Sequence, residues 1–298
     1  MSWFLAALSG YFLYALAGTI DKILLRQRAM NRPLVFTFYI SLLSVFTFVL
    51  APFGLRWPGL AQFGLAFLVG VIFFFGLLCF YRALDNNDAS HAMPIIGGLV
   101  PIFVLTLASL FLGEHLGLKQ LAAFCLLVLG GFLISFKRTR HGGRALKDVR
   151  SIILAILLNA IYLVSVKYIF EQQGFITGFI WTRVGMVAAA LMVLFYPVWR
   201  RAIFSGGRQA SKGLGAVLVL NKISAGIGST LVNWAVSLGS VSLVNALQGT
   251  EYAFLLVIVI VFSKKFPRLL EEKTTWPIIL QKSIAVILIG AGLAVIAL

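Results

Sequence analysis

Residues 213–262 read GLGAVLVLNKISAGIGSTLVNWAVSLGSVSLVNALQGTEYAFLLVIVIVF. Two long apolar runs meet at Leu238-Gly239-Ser240-Val241, where a Gly-Ser pair marks a tight turn. The pattern predicts two helices, each long enough to cross a bilayer. Two charges interrupt them, Lys222 on the first and Glu251 on the second. At a rise of about 1.5 Å per residue, Lys222 lies roughly 26 Å from the turn and Glu251 roughly 18 Å. The axial gap of roughly 8 Å is one that the two side chains can span together. A charge at the centre of a membrane helix costs about 2.5–3.5 kcal/mol, so each is expected to face a partner or a polar cavity.

The neighbouring polar residues keep helical spacing. Lys222, Gly226, Ser229 and Asn233 fall on one face of the first helix. Val241, Asn245, Gln248 and Tyr252 fall on one face of the second, with Glu251 beside Gln248. Two facing polar stripes predict the wall of a solvated cavity. The competing reading is a Lys222–Glu251 pair that only ties two helices together.

The rest of the chain shares this character. Of 298 residues, 61% are hydrophobic and 11% charged, against about 25% charged in soluble domains. The chain is therefore expected to be an all-α integral membrane protein. Ten apolar segments can span, near 3–25, 34–52, 61–82, 89–112, 118–136, 151–171, 176–198, 213–238, 241–262 and 277–297. The first is too long for a signal-peptide core and lacks a basic start or cleavage site, so it reads as a span.

The net charge of +16 would suggest nucleic acid in a soluble protein. Here it gathers in alternate loops: Arg26, Arg28 and Arg32; Lys137 to Arg150; Arg200, Arg201, Arg208 and Lys212; Lys264, Lys265, Arg268 and Lys273. It reads as a topology signal, not as a nucleic-acid surface. Odd-numbered loops are then cytoplasmic in a plasma membrane, with both termini outside. The basic loop 138–150 separates a five-span unit, 1–137, from a second, 151–298. Five spans per unit force opposite orientations. The expected architecture is two inverted five-helix repeats around a central cavity, as in many secondary transporters. Ala83 to Glu114 can be laid without gaps on Ala235 to Phe266, and Leu129-Gly130-Gly131 is echoed by Gly290-Ala291-Gly292.

A motif string runs through the first unit: Tyr81-Arg82-Ala83-Leu84, Ala89-Ser90, Met93-Pro94-Ile95, Pro101-Ile102-Phe103, Phe111-Leu112-Gly113-Glu114, Gln120 and Leu129-Gly130-Gly131. It resembles the EamA-like family of the drug/metabolite transporter superfamily. The resemblance implies a ten-helix carrier of small metabolites, often an exporter, with a cavity between inverted halves. The second unit departs from the pattern. Ser263-Lys264-Lys265-Phe266 stands where Leu-Gly-Glu would be expected, with Glu271 or Glu272 as a displaced candidate.

No phosphate-binding loop, catalytic triad or metal-ligand spacing is present in the sequence, so neither an enzyme nor a cofactor is expected. Cys79 and Cys125 both lie in apolar runs and read as buried small hydrophobes. Arg183 sits about 11 Å into the seventh span, as an anion contact, as the partner of Glu251, or as a structural arginine. Lys167 is nearer the outer interface and reads as snorkelling. Asp21, with Lys22 at the inner end of the first span, is a possible coupling residue alongside Glu251. Arg82, Asp85 and Asp88 read as a solvated cluster, and Glu114 as structural. Pro94 and Pro101 predict an irregular fourth span that can line a cavity. Tyr11, Tyr14, Tyr39, Tyr162, Trp181, Trp234 and Tyr252 are aromatic cavity candidates, and Trp57, Trp199 and Trp276 interfacial anchors.

Counting only deep residues, Arg183 and Lys222 exceed Glu251 by one positive charge. The expected substrate is therefore a small anionic or zwitterionic molecule, such as an amino acid or related carboxylate. Lys222 would be its point-charge contact and Arg183 its bidentate one. Asn221, Asn233, Asn245, Gln248 and Ser229 would read its polar groups, and Tyr252 or Trp234 would cover an apolar part. Alternatives are a phosphorylated metabolite, a nucleotide-sugar or a lipid-linked phosphate. A rival of another class is a non-transporting membrane subunit or receptor with the same fold. The sequence sets no oligomeric state.

Overall fold

In the computed structural model, residues 1–25, 33–87, 89–136, 146–206, 212–262 and 276–297 are described. Arg26, Arg28, Arg32, Asp88, Lys137, Arg138, Arg140, Arg144, Arg208 and the whole of 263–275, with Lys264, Lys265, Arg268, Glu271, Glu272 and Lys273, lie outside them. So do the side chains of Asp21 and Lys22.

Among the described residues every regular element is helical. The helices are α1 (Ser2–Leu25), α2 (Pro33–Leu43), α3 (Leu60–Asn86), α4 (Ala89–Phe111), α5 (Leu118–Ser135), α6 (Val149–Gln173), α7 (Phe175–Val193), α8 (Pro197–Gly206), α9 (Lys212–Leu238), α10 (Val241–Ala246), α11 (Gln248–Phe262) and α12 (Trp276–Ala297). A 3-10 segment, Ser44–Phe53, continues α2. Among the described residues nine segments are long and apolar enough to span a membrane. The 27-residue α9 (Lys212–Leu238) covers the remaining expected span, 213–238.

Two expected spans are corrected. The seventh was expected to run to 198, but α7 ends at Val193. Leu194, Phe195 and Tyr196 each donate to a carbonyl three residues back, which tightens the chain before Pro197 opens α8. The ninth, expected unbroken over 241–262, is split at Leu247 into α10 and α11. Leu247 itself keeps right-handed helical dihedrals and donates to the Leu243 carbonyl, so the interruption is a local one.

The packing has a two-fold logic. Helix α1 packs on α9 and α11, and α6 packs in the same way on α3 and α4, while α5 packs on α12. Exchanging the two halves span for span maps the first pair of interfaces onto the second and the α5–α12 interface onto itself. Glycines set the crossings. A Cβ on Gly228 of α9 would stand 3.0 Å from the Gly10 carbonyl of α1, and one on Gly76 of α3 would stand 3.3 Å from Leu158 Cβ of α6. Gly76 and Gly228 coincide in the same ungapped register that superposes Ala83 on Ala235.

The motif string has local causes. Gly113 holds a φ of 63° that L side chains rarely adopt, and so aims Glu114 across the bundle. Glu114 accepts hydrogen bonds from Ser240 Oγ (2.6 Å) and from the N–H groups of Val241 (3.2 Å) and Ser242 (3.3 Å). It thereby caps the start of α10 in the other half, in line with its structural reading. Gln120 accepts from the Gly117 N–H at 3.1 Å and starts α5. Cys125 is exposed on the apolar outer surface and Cys79 half-buried, and both are free, which corrects the expectation of buried thiols.

Candidate functional site

The break at Leu247 leaves the Val244 carbonyl without a continuing helical partner. Tyr11 of α1 donates to it at 2.9 Å. Thr250 turns back on Leu247 through both its N–H (2.8 Å) and its hydroxyl (2.6 Å). The break therefore starts α11 inside the bundle and puts Glu251 in its first turn, where the helix dipole favours a carboxylate. Tyr252 follows, its hydroxyl 3.4 Å from where a Cβ on Gly97 of α4 would stand. Gly249 is pressed against α5, with 3.1 Å between a built Cβ and Gly131 Cα.

Arg183 enters from α7 and is 5% exposed. Its guanidinium lies 4.7 Å from the Phe179 ring centroid, one turn back, and 4.9 Å from the Phe73 ring of α3. Such faces favour a planar, weakly hydrated cation. One nitrogen donates to Ser229 Oγ of α9 at 3.0 Å, and the other reaches Met186 Sδ at 3.6 Å. Tyr162 stacks on Phe73 with centroids 4.1 Å apart, and its hydroxyl meets Asn233 Oδ1 at 3.3 Å. Asn233 in turn donates to the Ser229 carbonyl at 2.8 Å. Tyr14 of α1 packs beside Gly228 of α9, 3.4 Å from where a Cβ there would stand, and lies within electrostatic reach of both Arg183 and Glu251.

Arg183, Ser229, Asn233, Glu251 and Tyr252 therefore gather around Tyr14, Tyr11 and Tyr162. Among the described residues neither Arg183 nor Glu251 takes part in a salt bridge, so the expected Arg183–Glu251 and Lys222–Glu251 pairs are not formed. Lys222 turns instead toward α2, its Nζ 4.7 Å from the Phe36 ring centroid.

The other expected site residues have these surroundings. Asn221 donates to the Ala17 carbonyl at 3.1 Å and bridges α9 to α1. Asn245 is 6% exposed and its Oδ1 has no hydrogen-bond partner among the described residues. Gln248 is half-buried at the helix break. Trp234 is 42% exposed, and Trp181 donates to the Arg56 carbonyl at 3.1 Å beside Trp57 and Phe63. Tyr39 packs edge-on against Phe38. Lys167 pairs with Glu171 at 3.3 Å and reaches the Ser237 carbonyl at 3.4 Å. Phe73 and Phe179 were not among the expected site residues. Phe179, four residues before Arg183, left a signal in helical spacing; Phe73, on another helix, left none.

Residues 1–136 match the model of the EamA-like transporter family, consistent with the drug/metabolite transporter superfamily. That match supports a general transporter role in a multi-pass membrane protein. A solved crystal structure aligns with a TM-score of 0.69 at 16% identity, covering 98% of this chain and 94% of that one, and shows the same fold. No curated protein sequence matches the chain.

Proposed function

We propose that this chain, whose first half matches the EamA-like transporter model, is a secondary transporter that moves a small carboxylate-bearing metabolite by alternating access. One observation carries the reading. A buried guanidinium on α7 and a carboxylate on α11 both lie within electrostatic reach of Tyr14 of α1 and form no salt bridge with each other. Unpaired charges at membrane depth are costly, and a zwitterionic ligand compensates both. Its carboxylate would lie on Arg183 and its ammonium on Glu251, with Ser229 and Asn233 reading further polar groups and Tyr252 covering an apolar part. An amino acid fits this pattern. A phosphorylated metabolite would use Arg183 but gain nothing from Glu251. The protein would work in the plasma membrane with its basic loops inside, as exporter or exchanger.

The test is counterflow in liposomes, after a thermal-shift screen of amino acids, their amides and decarboxylated amines on purified protein. Arg183→Lys keeps the charge but loses the planar fork between two rings. It is expected to weaken carboxylate-bearing ligands at least about tenfold and their amides much less. Equal losses for acid and amide, or tight binding of a simple cation by the unaltered protein, would sink the assignment. Absence of any counterflow would favour a non-transporting subunit.

A further inference from the structure

Helix α8 is ten residues long, PVWRRAIFSG, which at about 15 Å is half the thickness of a bilayer core. It is neither a span nor a loop. At about 100° per residue, Ile203 marks one side of the helix, and it is 1% exposed. Ile203 belongs to a core with Val35 and Phe38 of α2 and Met186 and Ala189 of α7. Going round from Ile203, Arg200 (about 60°), Phe204 (about 100°), Arg201 (about 160°) and Val198 (about 220°) follow on one arc, all exposed, with Phe204 at 66% and Val198 at 67%. Just ahead, Phe195 is 87% exposed.

An arc that mixes two guanidinium groups with two large apolar side chains suits neither water nor hydrocarbon. It suits the boundary between them, where rings enter the acyl region and cations reach phosphates. From this juxtaposition we propose that α8 is an interfacial helix whose Arg200 and Arg201 bind the headgroups of anionic phospholipids. Charge complementarity selects that occupant. A zwitterionic headgroup offers each arginine a phosphate but carries its own cation, whereas an anionic one does not. Two such contacts are expected to enrich anionic lipid at α8 roughly tenfold over zwitterionic lipid at low salt. Through Ile203 the headgroups are tied to α2 and α7, the helix that carries Arg183.

The experiment uses the full chain with Cys79 and Cys125 replaced by serine and Phe204→Cys carrying an environment-sensitive fluorophore. It is reconstituted in phosphatidylcholine with one fifth phosphatidylglycerol, and either lipid is brominated in turn. Per mole fraction, brominated phosphatidylglycerol is expected to quench several-fold more strongly than brominated phosphatidylcholine. Arg200→Gln with Arg201→Gln should erase the difference, and the two lysine replacements should retain most of it. Equal quenching by both headgroups overturns the proposal, as does a fluorophore that aqueous iodide quenches freely in intact vesicles. A preference that survives the double glutamine variant also overturns it, by removing the arginines as its cause.

Discussion

At the scale of single residues, position within the bundle decides what a charge can do. Glu251 lies inside it without an ion-pair partner among the described residues, and we expect it to be the residue that couples transport to protons. Glu251→Gln should then abolish the response of uptake to an imposed pH gradient and, because Glu251 also receives the ligand's ammonium, weaken substrate exchange without removing it. A gradient response equal to that of the parent protein would remove Glu251 from the role. Asp148, outside the spans, is a contrasting case. It accepts from Ser151 Oγ (2.6 Å), Asn86 Nδ2 (2.8 Å) and the Ser151 N–H (3.0 Å), and so caps α6. These hydrogen bonds to the ionised form hold its carboxyl below the usual range, the Ser151 hydroxyl contributing most. A lowered folded value means stability that is complete above the ordinary carboxylate range, near pH 4, and lost as pH falls through the folded value. Asp148→Ala should therefore cost about 1 kcal/mol at pH 7, read as a lower Tm. That deficit should shrink on acidification below about pH 4.

At the scale of elements, glycines decide which helices can touch. A Cβ on Gly70 of α3 would overlap the Thr182 carbonyl of α7, and one on Gly185 would overlap the Phe67 carbonyl of α3. Backbone meets backbone there, so neither side can yield by changing rotamer. Gly226 of α9 is exposed, with nothing within 4 Å of a built Cβ. Gly70→Ala is expected to destabilise by about 1–3 kcal/mol or more. Gly226→Ala is expected to be neutral or stabilising by up to about 1 kcal/mol, since a helical glycine carries excess chain entropy. Thermal melts of the two variants in one detergent would check the contrast, and similar melting points would refute it. In the register that superposes Gly76 on Gly228, Gly70 falls on Lys222. One half thus has a glycine seam where the other has a lysine laid on Phe36.

At the scale of the whole molecule, one carboxylate joins the two halves. Glu114 ties the α4–α5 connection of the first half to the start of α10 in the second. Hydrogen bonds to a charged group are worth about 1.5–3 kcal/mol each when broken. Glu114→Ala should lower the Tm and speed labelling of a cysteine introduced at Ser242, which is fully buried, by an impermeant reagent added on the Glu114 side. A lower Tm with labelling unchanged would mean that Glu114 only stabilises α10 and does not hold the halves together at that end.

Membrane residence, helix count and the duplication were legible in the sequence because they rest on properties that survive projection onto a line. A span needs a certain length of apolar chain whatever surrounds it, and alternate basic loops mark its ends. Glu114, Gln120 and Gly113 were legible as a motif, although not the hydrogen bonds that explain it. Arg183, Ser229, Asn233, Glu251 and Tyr252 were legible as polar intrusions at depth. Their grouping was not, because rise per residue locates a side chain along a helix but not around its neighbours. Lys222 lies on Phe36 of α2, whereas Glu251 lies near Tyr14 of α1. The split at Leu247 carries no proline, and it is held by Tyr11 from the far end of the chain. Which charges meet, and which stay without a salt bridge, was decided only when helices distant in sequence packed at their glycine crossings.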